Sequence, residues 1–104
     1  MNILVEYLYR DATNTKQFGS VVFTNPEGLD LQTIRERMRK SLIDGEYFYP
    51  DRVGIRLIYA YAWDPEIDHT WYEFENVSHT DSAPTDPRTA DQFLLELTSS
   101  HPGF

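Results

Sequence analysis

The chain has 104 residues, 17 of them acidic and 9 basic, for a formal net charge of −8 at neutral pH. That length supports one hydrophobic core and excludes two ordinary domains. With 40% apolar and 25% charged residues the composition is globular, and the absence of cysteine excludes a disulfide framework, a thiol nucleophile and a cysteine zinc site.

Residues 1–9 alternate Ile3, Val5, Tyr7 and Tyr9 with Asn2, Leu4, Glu6 and Leu8, a period of two rich in strand formers that predicts the first strand. A polar loop over 10–16 leads to a second strand over 17–24, close enough to pair antiparallel. Asn25-Pro26-Glu27-Gly28 carries turn chemistry. From Leu31 the period changes: Leu31, Ile34, Met38 and Leu42 share a helical face, with Asp30 placed to cap the start and Gly45 to stop the end, predicting a helix over 31–43.

The aromatic stretch Glu46-Tyr47-Phe48-Tyr49-Pro50 reads as an anchored connection. Alternation resumes over 55–63, the expected third strand, and over 70–78, the expected fourth. In the latter Tyr72 and Phe74 face one way and Trp71, Glu73, Glu75 and Val77 the other. Asp86-Pro87 resembles a helix start, and Ala90, Phe93, Leu94 and Leu97 form the apolar stripe of a second helix.

The order predicts an α+β fold, ββαββα, in which two hairpins make a four-stranded antiparallel sheet with both helices on one face. Residues 1–98 form the expected single domain and 99–104 a flexible tail. Leu4, Glu6, Leu8, Arg56, Ile58, Trp71, Glu73, Glu75 and Val77 are expected on the uncovered face, a mixture of apolar and charged groups suited to an interaction surface.

Charge is distributed unevenly. Residues 1–52 hold 8 acidic and 7 basic side chains, whereas 53–104 hold 9 acidic and 2 basic. A segment of that sign repels a phosphate backbone, which argues against nucleic acid as a direct ligand and for a basic partner. No apolar run reaches transmembrane length and residues 1–10 lack the pattern of a secretory signal, so a cytoplasmic location without membrane contact is expected.

Asp64, Glu66, Asp68 and Glu75 imitate the ligand spacing of a calcium loop, but His69 stands where the loop's sharp turn requires glycine. His69, His79 and His101 lack the spacing that places two imidazoles on one helical face, and no nucleophile elbow, P-loop or dinucleotide fingerprint is present. The resulting expectation is a non-enzymatic protein-binding module without a cofactor. It engages a basic protein surface through Asp64, Glu66, Asp68, Trp71, Glu73 and Glu75. In its strongest form it is an inhibitor whose carboxylates imitate nucleic-acid phosphates. The alternatives are a metal-binding or hydrolytic domain centred on the hairpin from Asp64 to Glu75, and a homodimer formed through the uncovered face.

Overall fold

The computed structural model describes residues 1–55 and 71–100. Its elements are strand β1 (Asn2–Arg10), strand β2 (Lys16–Phe23), helix α1 (Leu31–Ser41), a short strand β3 (Tyr47–Phe48), a 3₁₀ turn (Pro50–Val53), strand β4 (Tyr72–Thr80) and helix α2 (Ala90–Ser100). The strands form one antiparallel sheet in the order β2-β1-β4-β3. This is the α+β arrangement anticipated from the period changes, and among the described residues the third strand is β3. Tyr47 and Phe48 pair with Glu73 and Tyr72, and of the segment expected to supply that strand only Ile55 lies within the described residues. No helix among the described residues is long and apolar enough to cross a membrane.

One face of the sheet carries the core. Ile3, Val5, Tyr7 and Tyr9 of β1 pack with Val21 and Phe23 of β2 and Tyr72 and Val77 of β4. Ile34, Met38 and Leu42 from α1 and Phe93, Leu94 and Leu97 from α2 close over them. Both helices therefore cover the same face. Rings stack between neighbouring strands and between sheet and helix: Tyr7 lies parallel to Tyr72 at 5.8 Å, and Phe23 to Phe93 of α2 at 4.5 Å. A Cβ on Gly19 would sit 2.6 Å from the Tyr7 ring, so only glycine lets β2 pass this close to that side chain.

β4 departs from strict alternation. Tyr7 pairs with Phe74 but Glu6 pairs with Asn76, leaving Glu75 as the extra residue of a β-bulge. The bulge reverses the facing of everything after it. Val77, expected on the uncovered face, is instead fully buried in the core opposite Val5. Leu8, also expected on that face, is buried between the ladder neighbours Phe18 and Glu73. Leu4 and Glu6 are half-buried there.

The helix ends follow local hydrogen-bond chemistry. Asp30 caps α1, its carboxylate accepting from the Thr33 amide at 2.7 Å. The helix ends at Ser41, earlier than expected, because Leu42 turns extended and Asp44 and Gly45 both take positive φ (53° and 72°). These form a tight Asp-Gly turn in which Ile43 bridges to Tyr47, so Gly45 serves the turn into β3 rather than the helix stop.

α2 begins at Ala90, three residues beyond the expected Pro87. Thr89 and Gln92 exchange side-chain-to-amide bonds at 3.1 and 2.9 Å, a capping box that takes the role expected of Asp86. The helices are tied by Arg37–Asp91 at 2.7 Å and by the Ser41 and Thr98 hydroxyls at 2.7 Å. Arg35 of α1 donates to the Val77 carbonyl at 3.2 Å, on the part of β4 that the two-residue β3 does not reach.

Candidate functional site

Of the residues expected to form a protein-binding site, Asp64, Glu66 and Asp68 lie outside the described residues. Trp71, Glu73 and Glu75 lie within them and do not form a single carboxylate patch. Trp71 immediately precedes β4 and remains 39% exposed. Glu73, on β4, is turned toward Arg10 at the end of β1. Arg10 donates Nε to Glu73 Oε2 at 2.9 Å and Nη2 to Oε1 at 3.4 Å, and places Nη1 on Asn14 Oδ1 at 2.7 Å. The Glu73 bond holds the guanidinium above its ordinary pKa. Glu75, the bulge residue, is exposed.

Trp71 belongs to a different grouping. Pairing of β3 with β4 brings the Asp-Gly turn and the aromatic stretch beside it, and a groove of about 310 Å³ opens between Ile43, Asp44, Tyr47, Tyr49 and Trp71. The described residues lining it are aromatic and aliphatic apart from the exposed Asp44. The Tyr47 phenol is pushed above its ordinary pKa first by Glu46, then by partial burial, then by Glu73 and Asp44. Beside the groove the guanidinium of Arg52 lies 4.4 Å above the centre of the Tyr49 ring. The sequence marks Trp71 by type and Tyr47 and Tyr49 as packing residues; the Asp44-Gly45 dipeptide, a turn marker, signals that Tyr47 folds back beside Ile43, but no local signal joins these residues to Trp71.

A second charged cluster is centred on Arg88. Its Nε and Nη2 grip Asp86 at 2.9 and 2.8 Å, and its Nη1 reaches the Val53 carbonyl at 2.7 Å and Glu96. Its guanidinium lies 5.6 Å from the Phe23 ring centre and 5.4 Å from that of Phe93. The side chains of Arg88 and Asp86 are only 16% and 11% exposed, and the pairing drives the Asp86 carboxyl below the usual carboxylate range. A cavity of about 300 Å³ beside this cluster is bordered by Tyr7, Ser20, Val21, Gly54, Ile55, Thr85 and Asp86. Among the described residues no group of three or more His, Asp or Glu side chains is arranged to hold a metal ion.

Compared with protein-family models, with curated proteins and with solved structures, the chain matches none of them.

Proposed function

We propose that the protein is a binding module for a basic protein surface, centred on the groove at Trp71. The observation that supports this reading is a partly exposed tryptophan lining an aromatic groove together with the exposed Asp44, with Glu46 close to Tyr47. Interface energy concentrates on aromatic anchors, and surrounding charges chiefly set the rate and selectivity of encounter. Acidic groups around an aromatic anchor select a cationic partner over an anionic one. Asp64, Glu66 and Asp68 precede Trp71 by only a few residues in the chain.

Local recognition by the groove is better supported than a broad imitation of nucleic-acid phosphates. Glu73 is matched by Arg10, Asp91 by Arg37, and both Asp86 and Glu96 by Arg88. An ion-paired carboxylate contributes little to a continuous anionic face.

The test is binding to an array of immobilised basic proteins at low and high salt, comparing the wild type with Trp71→Ala and Glu75→Lys. Trp71→Ala is expected to weaken capture by about tenfold or more at both salt concentrations. Glu75→Lys is expected to slow association at low salt and to change little at high salt. If Trp71→Ala is retained by every basic protein as strongly as the wild type, the groove is not the binding site.

A further inference from the structure

We propose that the outward face of α1 is a second binding surface, at which Arg35 and Arg39 receive two carboxylates of an acidic protein segment. The surface carries charge opposite to that of the chain as a whole and does not depend on the reading of the Trp71 groove.

The exposed residues of this face are Gln32, Arg35, Glu36, Arg39 and Lys40, three cations against one carboxylate in a chain of net charge −8. Other arginines find acids within the chain: Arg10 holds Glu73, Arg37 holds Asp91, and Arg88 holds Asp86 and Glu96. Arg35, Arg39 and Lys40 form no ion pair among the described residues, although exposed Glu36, Asp44 and Glu46 stand on the same helix or the turn after it. Glu36 instead accepts from the Gln32 side-chain amide at 3.3 Å, one turn back along the helix. Arg35 and Arg39 are like charges four residues apart, an arrangement that repels in the free protein and is relieved by a carboxylate brought to each.

Both arginines are steadied by their own chain, which lowers the cost of ordering them on a partner. Arg35 spends Nη2 on the Val77 carbonyl at 3.2 Å, leaving Nε and Nη1 without a partner among the described residues. The Arg39 Cγ lies 3.4 Å from where a Cβ on Gly45 would stand, so its stem rests against the turn that follows the helix. The two residues are about 6 Å apart along the helix axis. Carboxylates one turn apart on an acidic helix have the same spacing, so two forked ion pairs form in register. Positive charge at Arg39 and Lys40 also suits the last turn of α1, a role that any cation fills, whereas the forked pair requires a guanidinium. A polyphosphate backbone, whose charge repeats without interruption, meets the neighbouring carboxylates Glu36, Asp44 and Glu46 as well, which favours a peptide over a nucleic acid.

The probe is a fluorescein-labelled, alanine-rich helical peptide of about 15 residues with glutamate at every fourth position, titrated by anisotropy into the full-length protein at low salt. Its glutamine counterpart and a single-stranded oligonucleotide are the comparisons. The glutamate peptide is expected to bind saturably and the glutamine peptide not at all. Arg39→Glu should weaken binding by about fivefold or more, and Arg39→Lys, which keeps the charge and the thermal midpoint, by about twofold to fivefold. Lys16→Glu alters the net charge as Arg39→Glu does, at an exposed cation on β2, and should change binding by less than about twofold. Trp71→Ala should leave this binding unchanged, which keeps the result separate from that for the groove. Equal effects of Lys16→Glu and Arg39→Glu, no loss in Arg39→Lys, tighter binding of the oligonucleotide, or no saturable binding of the glutamate peptide would each overturn the proposal.

Discussion

Arg10 and Glu73, 63 residues apart in sequence, meet through a forked ion pair where the end of β1 lies beside the start of β4. The contact joins the nearly neutral N-terminal half to the acidic C-terminal one and withdraws a carboxylate from the field around the Trp71 groove.

Arg10→Ala should therefore accelerate association with a basic partner. Removing the guanidinium frees the negative charge of Glu73, and the effect should appear at low ionic strength and fade as salt screens it. Stopped-flow association rates at two salt concentrations check this. A rate that is unchanged or slower at low salt would mean that Glu73 plays no part in steering.

The bulge in β4 leads to an uncommon expectation about deletions. Removing Glu75 leaves Tyr7 opposite Phe74, Glu6 opposite Asn76 and Val5 opposite Val77, an uninterrupted ladder with every face preserved. That deletion should fold and lose no more than about 1 kcal/mol. Deleting Glu73 instead turns the fully buried Tyr72 out of the core and should abolish cooperative folding. Urea melts followed by circular dichroism separate the two cases.

Gly19 is set against the Tyr7 ring so closely that even a methyl group must displace it. Gly19→Ala should cost about 1–3 kcal/mol, seen as a lowering of the melting temperature by roughly 4–8 °C for each kcal/mol. Pairing it with Tyr7→Leu should return part of the loss, because the double variant removes the atoms that clash. Additive losses would place the strain elsewhere.

The Arg88 cluster makes stability depend on acidity. The Asp86 carboxyl is depressed by its bond to Arg88, so its contribution is complete above its unfolded value of about pH 4 and is lost as pH falls through the lower folded value. Asp86→Asn should flatten the stability profile below about pH 4. Arg88→Met leaves Asp86 and the Val53 carbonyl without this donor and should cost about 2 kcal/mol at neutral pH. An acid limb as steep in Asp86→Asn as in the wild type would assign it to other carboxylates.

The parts of this molecule legible in its sequence are those in which one period runs unbroken. β1 and the core stripe of α1 repeat their apolar residues long enough to be read, and Asp30 caps α1 as its position suggests. β3 has two residues, too few for any period. The bulge at Glu75 shifts the phase of β4, so counting by twos sends Val77 outward. Asp86 resembles a cap because it precedes proline, but its carboxylate is committed to Arg88. Trp71 stood out by type, whereas Asp44, Tyr47 and Tyr49 join it only through the pairing of β3 with β4, which local pattern does not encode.

Arg35 has a consequence for behaviour at high concentration. Among the described residues no strand covers β4 beyond its short neighbour, and backbone acceptors at such an edge are the kind of template on which another molecule can add a strand. A cationic side chain reaching from the helix occupies one of these acceptors at Val77 and places charge at the margin. The same contact that fastens α1 to the sheet thereby discourages stacking of one sheet onto the next, and its loss would show first as aggregation rather than as unfolding.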